Sequence, residues 1–236
     1  MRILLLGHGR MGTLVESLAP EYGATVAGVI DEHTGQTAIA AGSFGTVDVA
    51  IDFTLADAVP KNLPQLAERK INVVIGTTGW QAHEASMRDV AARAGIGVLA
   101  ASNFSLGMNI FQLAVEEASR HFARHGEFGA WIHESHHAMK KDAPSGTALT
   151  IKSGMERAGF ARPIDVSSTR AGSVPGTHTV GFDGASETIE LTHTVRDRAV
   201  FARGALTAAK WLVGKQGWFS IRDMLGSQIS EVGFQK

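Results

Sequence analysis

The first hundred residues alternate short apolar runs with stretches in which apolar side chains recur at helical spacing. The apolar runs predict buried strands at 3–6, 25–30, 47–53, 72–75 and 96–100. Apolar residues at helical spacing among polar ones predict helices at 11–18 and 81–94. Strands that alternate with helices of this length indicate an α/β fold with a doubly wound parallel sheet.

After residue 103 the pattern changes. The spacing predicts helices at 108–122, 148–158, 204–213 and 221–225. Strands are predicted at 128–133, 164–169, 177–182, 187–194 and 199–202, and short polar loops join most of them. This second part is therefore expected to be an α+β domain with a mixed or largely antiparallel sheet. Because the two parts of the chain have different patterns of strands and helices, we expect two domains, with a boundary near 103–106.

Composition narrows the functional class. The 236 residues suffice for one large or two modest domains, and they include no cysteine, which excludes disulfides, thiolate nucleophiles and zinc sites built on cysteine. A formal charge of -1 lacks the strong basic excess of a nucleic-acid binder, and no apolar run is long enough to cross a bilayer. The first apolar run stops at Gly7, too early for a secretion signal. We therefore expect a soluble cytoplasmic protein.

A glycine-rich loop separates the first strand from the first helix. Gly7, Gly9 and Gly12 form a G-x-G-x-x-G motif, and Asp31 closes the second strand 19 residues after Gly12. In this context the motif is typical of a Rossmann-type dinucleotide site, with the pyrophosphate at the helix N-terminus and the acid on the ribose hydroxyls. The acids Asp31 and Glu32 disfavour a 2′-phosphate, so we expect NADH to serve at least as well as NADPH. Arg10 lies in the loop and could nevertheless reach toward a phosphate.

A second motif matches zinc proteases by its letters. The segment 133–137 reads H-E-x-x-H, which binds zinc only when a helix brings both histidines to one face. The preceding residues alternate as a strand does, and along a strand His133 and His137 would lie about 13 Å apart. We therefore expect no metal here.

The residues after this cluster predict an anion site. The segment 140–147 runs directly into a helix that Asp142 or Ser145 can cap. The amides of Ser145, Gly146 and Thr147 would then face outward at a positive helix end. The neighbouring cluster adds His136 and His137 for proton exchange and Lys140 for a carboxylate. The alternative is a capped helix that follows a solvated basic loop.

The segment 134–148 closely resembles the signature E-x-H-H-x-x-K-x-D-A-P-S-G-T-A of the 4-hydroxy-tetrahydrodipicolinate reductase (dihydrodipicolinate reductase) family. The resemblance extends over essentially the whole chain, in order, through 51–54, 76–79, 101–105, 170–172 with Gly176 and His178, and 201–205.

This resemblance implies an oxidoreductase of the diaminopimelate route to lysine, cytoplasmic and homotetrameric. It would reduce 4-hydroxy-tetrahydrodipicolinate, a small dicarboxylate, to tetrahydrodipicolinate with NADH or NADPH. His136 would be the catalytic proton donor or acceptor with Lys140 as its partner. His137, Gly146 and Thr147 would bind the substrate carboxylates.

The resemblance also implies the cofactor site and the domain division. Domain one would comprise 1–105 with 205–236, and the substrate-binding and oligomerisation domain 106–204. The cofactor would be bound by Gly7, His8, Gly9, Arg10, Met11, Gly12, Asp31, Gly76, Thr77, Thr78, Ala101, Ser102, Asn103 and Phe104.

Two alternative functions would share parts of this pattern. One is a different two-domain NAD(P)-dependent dehydrogenase of amino-acid metabolism, and the other is a non-catalytic NAD-sensing module. Neither has a use for paired histidines beside a helix-capped anion site.

Overall fold

The structure is a computed structural model that describes residues 1–32, 39–40 and 44–231. It divides into two compact units. Unit 1 comprises Met1–Leu106 and Ala199–Lys236, and unit 2 comprises Gly107–Arg198. Among the described residues, no helix is long and apolar enough to span a membrane.

The strands and helices are numbered here in chain order. The described strands are β1 (Arg2–Leu6), β2 (Thr25–Ile30), β3 (Val49–Asp52), β4 (Asn72–Ile75), β5 (Gly97–Ala100), β6 (Gly129–His136), β7 (Ile164–Arg170), β8 (Thr177–Asp183), β9 (Thr188–Thr194) and β10 (Gly217–Phe219). The described α-helices are α1 (Arg10–Leu18), α2 (Val59–Glu68), α3 (Glu84–Ala94), α4 (Leu106–Phe122), α5 (Gly146–Arg157), α6 (Ala199–Leu212) and α7 (Ile221–Glu231). Short 3₁₀ turns at Ala19–Tyr22 and Gln81–His83 follow α1 and precede α3.

Unit 1 is built on a six-stranded parallel sheet, which confirms the predicted α/β class. The strand order is β10-β5-β4-β3-β1-β2, and all the pairings are parallel. The central strands β1, β3 and β4 are almost completely buried, because helices cover both faces of a doubly wound sheet. The carboxyl ends of these strands meet along one edge, where such sheets bind ligands.

Unit 2 contains a four-stranded mixed sheet in the order β7-β6-β8-β9. The pair β6–β7 is parallel and the other pairs are antiparallel, which confirms the mixed sheet. Apolar residues of α4 and α5 pack with Ile132, Val180 and Phe182 on one face of this sheet. The opposite face carries mainly hydroxyl side chains.

The elements of unit 1 that differ from the predicted pattern include α6 and α2. The residues 199–202, predicted as a strand, form the first turn of α6. A short apolar run fits either state, and here small buried residues continue the run as a helix. A methyl carbon placed at Gly204 would lie 1.7 Å from the Phe104 carbonyl oxygen, so α6 packs closely on the chain there. The helix α2 was not predicted, because Pro60 and Pro64 interrupt its pattern.

Candidate active site

The strand β6 carries two buried titratable side chains on its core-facing side. Strand alternation places Glu134 and His136 on the same face as Ile132. Glu134 is 0% exposed and His136 is 9% exposed, although both are titratable. A hydrogen bond joins Nδ1 of His136 to Oε2 of Glu134.

Glu134 is also bound by two other segments. Arg170, which pairs in register with His136 across β6 and β7, donates from Nη1 to Oε2 at 2.9 Å and from Nη2 to Oε1 at 2.7 Å. The amide of Ser145 donates to Oε1 at 3.2 Å. Burial raises the pKa of Glu134, but hydrogen bonds from Arg170, Ser168, His136 and the Ser145 amide outweigh it and lower that pKa to about 2. Glu134 is therefore an ionised, fully bonded carboxylate.

A second buried histidine lies beside His136. The ring centroids of His136 and His178 are 5.1 Å apart and the rings are nearly perpendicular. Burial, followed by the nearby charge of His136, lowers the pKa of His178 to about 4. Its Nε2 lies 3.2 Å from Oγ of Ser145. Burial also lowers the pKa of His136, against the opposing effect of Glu134.

The N-terminus of α5 lies next to this histidine pair. Oγ of Ser145 accepts from the amide of Ala148 at 3.2 Å and caps the helix. Oδ2 of Asp142 accepts more weakly from the amide of Gly146 at 3.4 Å. The expectation that the Ser145 amide faces outward was wrong, because Glu134 accepts its hydrogen bond.

The other predicted catalytic and substrate-binding residues lie at the start of this helix or on the loop before it. Nζ of Lys140 donates to both carboxylate oxygens of Asp142, at 2.7 and 2.9 Å, and this lowers the pKa of Asp142. A methyl carbon at Gly146 would meet no atom within 4 Å, so the backbone there is open to a ligand. His137 and Thr147 are half-buried, and the carbonyl of His137 accepts from the amide of Lys140 at 3.1 Å.

Nε2 of His136 faces the backbone of Gly176, a residue without a side chain. A methyl carbon at Gly176 would lie 3.1 Å from that nitrogen. The site thus combines a histidine nitrogen, a lysine ammonium and a helix N-terminus, which together suit a small dianion that must exchange a proton.

The H-E-x-x-H segment has strand geometry, as predicted. His133 lies within β6, on the face opposite Glu134, and its Nδ1 is 2.8 Å from Oγ of Ser167. The described residues contain no group of three or more histidine, aspartate or glutamate side chains placed to hold a metal ion.

The glycine loop of unit 1 has three distinct local environments. Gly7 has a φ of +85°, and a methyl carbon there would lie 2.5 Å from the Phe53 carbonyl oxygen. A methyl carbon at Gly12 would lie 2.1 Å from the Gly7 carbonyl oxygen, whereas one at Gly9 would meet nothing within 4 Å. Gly9 therefore leaves the N-terminus of α1 open, as close approach of a pyrophosphate requires.

A cavity of about 620 Å³ adjoins this loop. It is lined by Gly7, His8, Gly9, Asp31 and Glu32, together with residues that follow β3. Of the other predicted loop residues, Arg10 is exposed and Met11 is half-buried. Nε2 of His8 lies 2.6 Å from Oε2 of Glu16.

The predicted cofactor residues after β4 and β5 lie at the same edge of the sheet. Gly76 packs on the ring of Phe53, which makes an edge contact with Phe104 at a centroid distance of 6.2 Å. Oδ1 of Asn103 accepts from the amide of Ser105 at 2.8 Å. Thr78 is exposed. Thr77, Ala101 and Ser102 line a second cavity, of about 500 Å³.

A buried carboxylate connects two of these loops and was not assigned a role from sequence. Oδ1 of Asp52 accepts from Oγ1 of Thr77 at 2.8 Å and from both the hydroxyl and the amide of Thr54. Oδ2 of Asp52 accepts from Nδ2 of Asn62 at 3.2 Å. Asp52 therefore links the loop after β3 to the loop after β4.

Glu134, Arg170 and His178 also lacked an assigned role in the sequence analysis. All three fall within the motifs that carry the resemblance. Strand alternation at 134 and 136 was the available signal for Glu134, whereas the partners of Glu134 depend on the register between strands.

Comparisons with known proteins agree with this arrangement. Residues 1–104 match the family model described as dihydrodipicolinate reductase, N-terminus, and residues 107–225 match the one described as dihydrodipicolinate reductase, C-terminus. The 4-hydroxy-tetrahydrodipicolinate reductase of Xanthomonas axonopodis pv. citri is 40% identical, and that of Methanoregula boonei is 37% identical. Each alignment covers 95% of this chain and 98% of the relative.

A solved structure has the same fold. The dipicolinate-bound dihydrodipicolinate reductase from Paenisporosarcina superposes with a TM-score of 0.80 at 19% identity, over 93% of this chain and 97% of that one.

Proposed function

Because the chain belongs to the dihydrodipicolinate reductase family, we propose that it reduces 4-hydroxy-tetrahydrodipicolinate to tetrahydrodipicolinate with NADH or NADPH, in the diaminopimelate route to lysine. One observation in unit 2 carries this proposal. A buried histidine, fixed at Nδ1 by an ionised glutamate, lies beside a lysine and an open helix N-terminus. This combination suits a dicarboxylate that must receive a proton.

The substrate carboxylates need positive partners. The ammonium of Lys140 has three N–H donors and one carboxylate neighbour, Asp142, so it has capacity for a substrate oxygen. The amides of Gly146 and Thr147 at the start of α5 supply a second anion-binding point, at the positive end of the helix dipole. The half-buried ring of His137 completes the proposed carboxylate site.

The proposed proton donor is His136. Its Nδ1 is held by Glu134, so Nε2 is the nitrogen that can deliver a proton to a substrate carbon. Lys140 acts beside it by offsetting the negative charge of the dianion.

The residues of unit 1 fit a bound nicotinamide dinucleotide. Gly9 is open where a pyrophosphate must approach, and Asp31 borders the adjoining cavity where a ribose would bind. The loops of Gly76–Thr78 and Ala101–Phe104 would hold the nicotinamide end. When bound, the reduced cofactor supplies the hydride.

For the cofactor, we propose that NADH is used at least as well as NADPH. Asp31 and Glu32 both line the cavity beside the glycine loop, and two carboxylates there repel a 2′-phosphate. Arg10 is exposed at the first turn of α1 and is the nearby cation that could oppose this preference.

The assembly is proposed to be a cytoplasmic homotetramer. The face of the unit 2 sheet opposite α4 and α5 carries Ser135, Ser167, Thr179, Thr192 and Thr194, half-buried or exposed, and is called the hydroxyl face below. Cross-strand hydroxyl contacts, such as Thr179–Thr192 at 3.0 Å, make this face polar. A second copy of the same sheet would match such a face.

A direct assay tests the proposed reaction. Purified protein mixed with freshly prepared 4-hydroxy-tetrahydrodipicolinate should oxidise NADH, measured as loss of absorbance at the nicotinamide band. His136→Ala and Lys140→Ala should each lower kcat about 10²-fold or more, because each removes a group that acts on the substrate, with NADH affinity unchanged.

Two matched variants serve as controls. Lys141→Ala removes the neighbouring exposed lysine, and His125→Ala removes an exposed histidine of the same unit, so both should retain wild-type turnover. No NADH oxidation by the wild-type protein would refute the proposed reaction. Wild-type turnover in both site variants would refute the assignment of His136 and Lys140.

A further inference from the structure

The hydrogen bonds of Glu134 connect two strands and the cap of a helix. Building on the proposed function, we propose that Arg170 and Glu134 are positioning residues for His136. In this triad, Glu134 fixes the tautomer of His136 and Arg170 limits how strongly Glu134 attracts its proton.

The tautomer follows from the chemistry of the contact. An ionised carboxylate only accepts hydrogen bonds, and Glu134 is ionised because its pKa is about 2. Nδ1 of His136 must therefore carry the hydrogen of the bond to Oε2. Nε2, the nitrogen beside Gly176, is therefore the atom at which the ring gains and loses its second proton.

Arg170 moderates this attraction. Its guanidinium forms two parallel bonds to Glu134, at 2.7 and 2.9 Å, and neutralises the carboxylate that His136 contacts. The charge of Glu134 raises the pKa of His136, whereas the charges of Arg170 and Lys140 lower it. The two partners thus act on the same ring with opposite sign.

Groups on other elements also face His136. His178 of β8 contacts its ring, and burial keeps His178 neutral with a pKa of about 4. His193 of β9, paired in register with His178, also has a pKa lowered by burial. On the loop, Lys140 is paired with Asp142. Glu134 is therefore the carboxylate in direct contact with the ring.

The same residues attach the proton donor to the anion site. Glu134 accepts from the amide of Ser145, the N-cap of α5, and Nη2 of Arg170 donates to the carbonyl of Asp142 at 2.5 Å. A single buried carboxylate therefore fixes His136 and the helix N-terminus relative to each other. A salt bridge with only a structural role would not need to contact both.

A histidine titration tests the triad independently of turnover. In protein labelled at histidine, the signal of His136 is identified by its loss in His136→Gln, and its pKa is followed by NMR. Glu134→Gln should shift the His136 midpoint to lower pH, because the attracting charge is gone. Arg170→Gln should shift it to higher pH, because the opposing charge is gone.

Two matched variants control for changes in folding. Glu116→Gln alters a buried glutamate of α4, and Arg162→Gln removes an arginine that donates to the carbonyls of Phe122 and Phe128 in the same unit. Neither residue contacts His136, so both should leave its midpoint in place. If Glu134→Gln does not fold, Arg170→Gln alone tests the sign.

Turnover supplies a second readout. Glu134→Gln should lower kcat at least about tenfold with a smaller change in substrate KM, because its amide oxygen can still accept from Ser145 while the His136 tautomer is no longer enforced. Midpoints that stay in place, or that move in the same direction in both variants, would overturn the triad. Absence of turnover in the wild type would refute the proposed function and leave the titration valid.

Discussion

At the scale of single residues, the proposed cofactor preference depends on the charge of Asp31 beside the cavity. Asp31→Ser removes one of the two carboxylates that repel a 2′-phosphate. We expect the ratio of kcat/KM for NADH to that for NADPH to fall about tenfold, equivalent to about 1.4 kcal/mol. Steady-state kinetics with each cofactor at saturating substrate measure this ratio.

The acidic residue Glu68, at the end of α2, provides a control of equal charge change. Glu68→Gln removes one negative charge from the same unit at a position that does not line the cavity, so the ratio should stay at its wild-type value. A wild-type protein that prefers NADPH a hundredfold would contradict the cofactor proposal.

The single-residue contacts of the site could be predicted only where they are local. The capping of α5 by Ser145 was one of two options derived from the sequence, and the structure shows Ser145 as the N-cap. The bidentate bond between Arg170 and Glu134 joins residues 36 positions apart, and it exists because β6 and β7 pair in parallel register. No local pattern encodes that register.

At the scale of elements, different glycines of the loop before α1 serve close packing and proposed cofactor binding. Gly12→Ala should lower the free energy of unfolding by about 1–3 kcal/mol, because its methyl carbon would lie 2.1 Å from the Gly7 carbonyl oxygen. Gly9→Ala should leave stability nearly unchanged but raise the Kd for NADH about tenfold, because its methyl group projects into open space at the helix N-terminus. Urea denaturation and fluorescence titration measure the two effects.

Gly126→Ala is the matched control, since a methyl carbon there also meets nothing within 4 Å but lies in unit 2. It should change neither stability nor NADH affinity. Equal loss of NADH affinity in Gly9→Ala and Gly126→Ala would contradict the separate roles of the loop glycines.

Elements with strong periodicity were predictable and those with weak periodicity were not. The strands β1, β2 and β4 were predicted to within a residue, because strands of a parallel sheet are continuous apolar runs. The first turn of α6 is an apolar run too short to distinguish a helix from a strand, and α2 contains an internal proline. At both places tertiary packing decided the structure against the local signal.

At the scale of the whole molecule, the hydroxyl face predicts self-association. The protein should elute with four times the 25.0 kDa mass of one chain, measured by light scattering after gel filtration. Thr179→Arg with Thr192→Arg should lower that mass, because like charges would face each other across copies of the same sheet. Gln65→Arg, on an exposed part of α2, should leave the mass unchanged.

A monomeric wild-type protein at micromolar concentration would refute the tetramer.

The change from continuous to alternating apolar strands was sufficient to predict two different types of fold in the chain. The return of the last segment to unit 1 was not locally predictable, because it rests on the pairing of β10 with β5, more than a hundred residues earlier.

The burial of His136 has a thermodynamic consequence for ligand binding. Burial lowers the pKa of this ring, so the free protein disfavours the imidazolium near neutral pH. A dicarboxylate bound beside the ring adds negative charge that favours the imidazolium, so binding and protonation assist each other. On the proposed function, the substrate draws its proton from solvent as it binds, and its affinity weakens as the pH rises.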